Sequence, residues 1–219
     1  MKQVFRSAMR WKSPAHWALL PIAGIGLFAI LFLVAAGLYP GGSQHDPQAA
    51  GFSWAHNYWC HLLNDRALNG NSNPARPVAL AGMFVLCSAL AVFWYLLPSA
   101  LDLGRWMART VQVSGPASMT LALFIFTSYH DPLIVAASIL AAIALAGTFR
   151  GLYRSRWMAF FRSGLFCLFL LGANNFIYYT GHFLSFLPIL QKLTFLIVLS
   201  WVAVLAWALH RRLMAADSV

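Results

Sequence analysis

Residues 51–77 read GFSWAHNYWCHLLNDRALNGNSNPARP, and this polar stretch separates two of the most apolar parts of the chain. It places His56, Cys60, His61 and Asp65 within ten positions, and a run rich in asparagine follows. The segments on either side are long and apolar. The stretch therefore predicts a polar loop that membrane-spanning helices hold at one membrane face.

The composition indicates a single membrane domain covering residues 1–219. Hydrophobic residues make up 61% of the chain and charged residues only 9%, whereas a soluble domain averages about 25% charged residues. The formal net charge of +10 does not point to nucleic acid, because the basic residues form short clusters between apolar runs. The three cysteines form no CxxC pair, so neither a disulfide framework nor a zinc ribbon is expected.

Six apolar segments are long enough to cross a bilayer, which takes about 20 residues. We therefore predict an all-α fold, a polytopic bundle of six transmembrane helices, with the first loop at residues 40–76. The predicted spans are about residues 17–39, 77–97, 110–129, 132–148, 161–180 and 187–209. The third is the weakest, because Gln112, Ser114 and Ser118 need partners on neighbouring helices.

The basic residues predict how this bundle is oriented. Six spans place both termini on one side, and 12 of the 15 Lys and Arg residues fall on that side. Only Arg66, Arg76 and Lys192 fall on the opposite side. The positive-inside rule then predicts a bacterial-type inner membrane protein with both termini in the cytoplasm and residues 51–77 facing outward.

The first loop is expected to contain a short interfacial helix over residues 53–68. Asn57, His61 and Asp65 are spaced i, i+4 and i+8, so they would form one polar stripe. The segment is also rich in aromatic residues, as is typical of a helix in the headgroup region. Such a helix would present its polar edge to the mouth of the bundle.

Polar side chains from all three predicted outer loops and from the fifth span define a candidate pocket. In the fifth span they should face the bundle interior, because polar groups inside a membrane are costly unless they are partnered. The pocket residues are His56, His61, Asp65, Arg76, His130, Asp131, Asn174, Asn175, Tyr178, Tyr179 and His182.

One function compatible with this pocket is metal-assisted hydrolysis or transfer on a lipid or lipid-linked molecule. Imidazole and carboxylate ligands suit zinc, whose bound water would attack an ester, amide or phosphate. The metal ligands would come from His61, Asp65, His130, Asp131 and His182, and the catalytic groups would be His61, Asp65, His130 and His182. No HExxH or HxxxH motif is present, and the alternative is that these side chains pair with one another and cap helix ends.

A second possibility is covalent catalysis, with Cys60 as nucleophile and His56 as its base, although a cysteine among aromatic residues also serves packing. A third is a non-catalytic lipid sensor, or a transporter with this pocket as its outer gate. In either case membrane lipids are the expected partners. Substrate-binding residues would be His56, Arg76, Asn174, Asn175, Tyr178 and Tyr179. The Asn and Tyr residues would otherwise form interhelical hydrogen bonds.

Lys192, near the start of the sixth span, has two competing interpretations. Its ammonium would either extend to the membrane interface or serve as a buried countercharge to Asp65 or Asp131.

Residues 64–83, NDRALNGNSNPARPVALAGM, combine a polar turn, an Asn- and Pro-rich link and a Gly-Met pair inside the next helix. This segment resembles the first outer loop and second-span entry of the DUF998-type membrane proteins and the broader Frag1/DRAM/Sfk1 group. The resemblance implies six spans and a similar size, and some members of the group are linked to lipid or GPI-anchor remodelling. Asn64 and Arg66 stand where Ser and Leu are common in that pattern.

Overall fold

The computed structural model describes residues 15–127 and 129–217, and it describes only the backbone of His130, Asp131, Ala216 and Asp217. Within these ranges the α-helices are α1 (Leu20–Leu38), α2 (Arg76–Leu96), α3 (Arg105–Ala122), α4 (His130–Arg154), α5 (Met158–Thr180) and α6 (Leu187–Asp217). Short 3₁₀ helices occupy Ala15–Leu19, Trp59–Leu63, Leu97–Ala100 and Leu184–Phe186. Two isolated bridges are the only β pairing in the described residues, so the predicted all-α class is confirmed.

Five helical segments of the described chain are long and apolar enough to cross a membrane. They are Ala15–Leu38, Arg76–Ala100, Pro132–Arg154, Met158–Thr180 and Leu184–Ala215. The chain is therefore compatible with a multi-pass helical membrane protein. The third predicted span is not among the five, because the 18 residues of α3 include many polar side chains.

The neighbours of α3 satisfy its polar side chains. The hydroxyl of Ser118 donates to the carbonyl of Ala137 on α4 at 2.8 Å. The amide of Gln112 donates to the carbonyl of Tyr95 on α2 at 3.1 Å. Gly115 lies so close to the ring of Trp94 that a Cβ would not fit. The helix is thus packed between α2 and α4 in spite of its polarity.

Several helix boundaries differ from the sequence prediction. The predicted third span, residues 110–129, is helical from Arg105 to Ala122. The fourth span was predicted to begin at residue 132, but α4 already begins at His130. Proline is tolerated there because the N–H groups of a first helical turn have no intrahelical acceptor. Both α4 and α6 also extend beyond their predicted ends, to Arg154 and Asp217.

Residues 39–75, called the cap below, connect α1 to α2 and cover one end of the bundle. Leu62 and Leu63 of the cap pack with Phe32 of α1 and Ala79 of α2 in one buried cluster. The predicted interfacial helix over residues 53–68 is wrong in extent, since only the single 3₁₀ stretch Trp59–Leu63 is helical. The rest of the cap consists mostly of turns and irregular backbone.

Helix α5 is the least buried of the five apolar segments, with 11% of its most apolar window buried. Its contacts with α4 lie near its start, where Phe161 packs against Phe149 with ring centroids 5.7 Å apart. Further along, α5 packs mainly against α6. The loop between α5 and α6 therefore lies at the same end of the bundle as the cap.

Candidate functional site

The buried side chain of Asn57 organises the first half of the cap. Its Oδ1 accepts a hydrogen bond from the backbone N–H of Ser53 at 2.9 Å. Its Nδ2 donates to the carbonyl of Gly42 at 2.9 Å and lies 3.2 Å from Nδ1 of His61. Because Oδ1 is already an acceptor for Ser53, the amide presents its N–H group to His61.

These contacts fix the tautomer of His61. Its Nδ1 also accepts the backbone N–H of Tyr58 at 3.2 Å, and a backbone N–H can only donate. The neutral ring therefore carries its proton on Nε2. Only 6% of His61 is exposed. Burial, and then the positive charge of Lys192, lowers the pKa of His61 to about 4, so the imidazole is neutral at pH 7.

The Nε2–H group of His61 forms no hydrogen bond with the described residues. Among the described residues, the hydroxyl of Thr148 is the only fully buried side-chain nitrogen or oxygen without a hydrogen-bond partner. Nε2 of His61 is therefore not fully buried. His61 is thus a nearly buried residue with one open donor, as a ligand-binding residue would be.

Asn73 holds the second half of the cap. Its amide N–H groups approach the carbonyls of His61 and Leu62, both at 3.2 Å, and of Asn64 at 2.9 Å. Its Oδ1 accepts the N–H of Ala75 at 3.2 Å. These carbonyls would have to accept hydrogen bonds along the chain in a helix over residues 53–68. The predicted helix fails because Asn73 takes them instead.

Asp65 and Arg76 pair with each other. A guanidinium nitrogen of Arg76 forms an ion pair with the Asp65 carboxylate, and its Nε donates to the carbonyl of Leu63 at 3.1 Å. The Asp65 side chain is 79% exposed, whereas His61 is buried. The expected stripe of Asn57, His61 and Asp65 is therefore not formed, although its first two members do contact each other.

Lys192 joins α6 to the cap. Its Nζ donates to the carbonyl of Asn57 and to that of Pro188 at 2.9 Å. The rings of Phe52 and Trp59 lie 5.5 and 5.7 Å from the same atom, which is cation–π distance. Within the described chain, no carboxylate pairs with Lys192, so the expected pairing with Asp65 is not formed.

A second bond supports this junction, from the backbone N–H of Trp59 to Oε1 of Gln191 at 3.1 Å. The sequence analysis assigned neither Lys192 nor Gln191 to the site. The available signal was a single Lys or Arg within the predicted span 187–209, but the partners of Lys192 are backbone carbonyls and aromatic faces, which no residue spacing reveals.

The proposed pair of Cys60 and His56 is not joined by a hydrogen bond in the described chain. Nδ1 of His56 lies 3.1 Å from the hydroxyl of Ser53, and its ring stacks on His45 with centroids 5.0 Å apart. Although the Cys60 side chain is exposed, desolvation by the surrounding residues raises the pKa of its thiol. A raised pKa disfavours the thiolate that covalent catalysis requires.

Of the predicted site residues on α5, the part-buried Asn174 contacts α6, and the others are exposed. Nδ2 of Asn174 bonds to the Thr194 hydroxyl of α6 at 2.7 Å. Asn175 faces outward and bonds to the Leu171 carbonyl of its own helix at 2.9 Å. Tyr178 and Tyr179 are 65% and 78% exposed. These side chains therefore do not all face the interior, as the sequence analysis expected.

The five predicted metal ligands are not assembled in the part of the chain that the structure describes. His182 is exposed, with its Nδ1 3.1 Å from the carbonyl of Thr180. The side chains of His130 and Asp131 lie outside the described residues. Among the described residues, no group of three or more His, Cys, Asp or Glu side chains is arranged to hold a metal ion. The zinc site stays a prediction.

The fold and site define an all-α protein with several apolar helices and a polar cap over one end of the bundle. No family model matches the sequence, and neither a curated protein nor a solved structure gives a significant match. The resemblance of residues 64–83 to the DUF998-type proteins therefore also stays a prediction.

Proposed function

We propose that this chain is a membrane protein that recognises a lipid or lipid-linked molecule where the cap meets the start of α6. The observation that carries the proposal is the ammonium group of Lys192. It lies beside two aromatic rings, bonds to two carbonyls and has no carboxylate partner among the described residues. A cation in such surroundings is suited to an anionic headgroup.

The apolar surface beside this cation supports a lipid as the ligand. Tyr179, Phe183 and Phe186 lie at or between the ends of α5 and α6, and they are 78%, 70% and 63% exposed. Aromatic side chains at such a position are typical of the headgroup level of a bilayer. A lipid would place its acyl chains along α5 and α6 and its headgroup beside Lys192.

We also propose that α3 completes a bundle of six spans. Its 18 residues would extend about 27 Å at 1.5 Å per residue, close to the hydrocarbon thickness of about 30 Å. Its buried Ser118 donates to α4, so this hydroxyl does not require water. Six spans and the distribution of Lys and Arg would place the cap on the outer face of the membrane.

The test is lipid binding by purified protein in a neutral detergent, followed by native mass spectrometry. Phosphatidylglycerol and the uncharged lipid diacylglycerol, with identical acyl chains, are titrated separately. Wild type should bind the anionic lipid at least about tenfold more tightly, since a hydrogen bond to a charged group contributes about 1.5–3 kcal/mol. Lys192→Met should abolish this preference.

The matched control is Arg66→Gln, which removes an exposed cation of the cap that donates to the Gly70 carbonyl at 2.9 Å. It should bind both lipids as wild type does. Hydrogen exchange of the cap amides shows whether each variant keeps its fold. The proposal is wrong if wild type does not distinguish the two lipids, or if a folded Lys192→Met variant keeps the preference.

A further inference from the structure

We infer that the bound group is a monoanion with two equivalent oxygens, either a phosphodiester or a carboxylate. This inference rests on the proposed function. One oxygen accepts an N–H of Lys192, and the other accepts the Nε2–H of His61. The geometry of these two side chains limits both the charge and the number of oxygens that the site can bind.

Lys192 has one free donor. An ammonium group carries three N–H bonds, and two of them are directed to the carbonyls of Asn57 and Pro188. The rings of Phe52 and Trp59 cover part of the remaining surface of Nζ. The side chain therefore offers a ligand a full positive charge but only one hydrogen bond.

His61 has one free donor and no positive charge. Its Nδ1 is occupied by two donors, the N–H of Tyr58 and the amide of Asn57, both at 3.2 Å. The proton is therefore on Nε2, where no described residue accepts it. The same two contacts oppose a second proton on the ring, since Nδ1–H would face two donors.

Asn57 connects these two residues. Its backbone carbonyl accepts from Lys192, and its side chain lies against His61. Asn57 is completely buried and contacts both Lys192 of α6 and His61 of the cap, and the charge of Lys192 acts on the His61 ring. An anion bound beside Lys192 would thus lie near His61.

A monoanion satisfies this pair of donors. A phosphodiester and a carboxylate each have one negative charge shared by two equivalent oxygens. A phosphomonoester carries nearly two charges above pH 7, because its second pKa is about 6, and it has three acceptor oxygens. Its second charge and third oxygen would be desolvated without a partner, which is unfavourable.

Two substitutions separate the two nitrogens of His61. In His61→Asn the side-chain oxygen takes the place of Nδ1, so the cap contacts are kept and the ligand donor is lost. In His61→Gln the terminal amide reaches the place of Nε2, so the donor is kept and the cap contacts are lost. Each variant is compared with wild type for phosphatidylglycerol binding and for hydrogen exchange of the cap amides.

We expect His61→Asn to keep cap protection but to bind phosphatidylglycerol about five- to tenfold more weakly, as for one neutral hydrogen bond. His61→Gln should lose cap protection but keep the affinity within about threefold of wild type. The assignment of Nε2 as a ligand donor is overturned if affinity follows cap protection in both variants, or if His61→Asn binds as wild type does.

The second arm compares lipids at pH 7, where the phosphomonoester of phosphatidic acid already carries nearly two charges. Wild type should bind phosphatidylglycerol or oleate at least about fivefold more tightly than phosphatidic acid with matching chains. Tighter binding of phosphatidylglycerol identifies the phosphodiester, and tighter binding of oleate identifies the carboxylate. A preference for phosphatidic acid overturns the inference but not the proposed function, which fails only if binding is independent of Lys192.

Discussion

The cap and α5 use their asparagine residues in opposite ways. In the cap, Asn57 and Asn73 are 0% and 5% exposed. Asn57 bonds to Gly42, 15 positions away, and Asn73 bonds to His61 and Leu62, 12 and 11 positions away. On α5, Asn175 is exposed and bonds only within its own helix. The cap is thus held by several buried side-chain bonds, whereas the asparagines of α5 make one bond to another helix, from Asn174 to Thr194 at 2.7 Å.

This difference has a physical cause. A helix in a membrane satisfies its own N–H and C=O groups, so it needs few contacts to be stable there. An irregular loop has no such repeat, and its buried backbone groups must find partners individually. The cap is consequently the part of the molecule in which specific side chains have fixed positions, as a binding site requires.

Of the substitutions considered, Asn73→Ala should have the largest effect on stability. If it did not destabilise the cap, the contrast between the cap and α5 would be wrong. It removes an amide that contacts the carbonyls of three cap residues and the N–H of Ala75. The amide has two N–H groups and one accepting oxygen, so it makes three full hydrogen bonds at most. At about 1–1.5 kcal/mol for each, the cap should lose about 3–4 kcal/mol of stability against local opening. Hydrogen exchange at the amides of Ala67 and Gly70, which donate to the carbonyls of Asn71 and Ala67, measures this opening.

The control for that substitution is Asn175→Ala on α5. Because Asn175 is exposed and bonds only to Leu171, its removal should change stability by less than about 0.5 kcal/mol. Equal effects of the two substitutions would show that the cap is not held by its asparagine side chains.

The second prediction concerns pH and the neutral state of His61. Its pKa is lowered from 6.5 to about 4 in the folded cap, so between these values the opened cap binds more protons. Stability against opening is complete above pH 6.5 and falls as the pH decreases toward 4, by about 3 kcal/mol in total. Lys192 is the charged group whose field reaches this ring.

The measurement is hydrogen exchange of the cap amides between pH 4 and 7, corrected for the intrinsic dependence of exchange on pH. His61→Asn removes the titrating ring but keeps an acceptor for Tyr58, so its cap should show a flat profile. A wild-type cap with the same stability at pH 4.5 and pH 7 would contradict the prediction.

Local sequence patterns predicted the helices well. Long apolar runs located the starts of five helices that are long and apolar enough to cross a membrane to within three residues, although α4 and α6 extend further than predicted. Bilayer length and backbone hydrogen bonding favour such runs as helices. The polarity of α3 was also visible, since Gln112 and Ser118 were expected to bond to neighbouring helices and do so.

The cap could not be predicted in the same way. The spacing of Asn57, His61 and Asp65 suggested a helix, but Asn73 bonds to carbonyls 9 to 12 residues away. Contacts at that separation leave no periodic signal. Lys192 was singled out as an interfacial cation or a countercharge, but its actual partner was missed for the same reason, because its bond to Asn57 spans 135 positions. His61 was chosen as a candidate site residue because a histidine side chain can bind a ligand or transfer a proton, whatever its spacing from other residues.

The smallest predicted effect tests whether α5 is held mainly near its start. At Gly164 a Cβ would lie 2.9 Å from the rings of Phe149 and Trp201, so Gly164→Ala should weaken the docking of α5 by about 1–3 kcal/mol. Cys167, one turn further on, is only 5% exposed, so its alkylation by a maleimide reports that docking.

Alkylation of Cys167, followed by peptide mass spectrometry, should be at least about fivefold faster in Gly164→Ala than in wild type. Gly172→Ala is the matched control on the same helix, because a Cβ at Gly172 meets no atom within 4 Å. Its rate should equal that of wild type. If both variants react alike, the contacts of α5 extend along its whole length, and its contrast with the cap is smaller than the buried areas indicate.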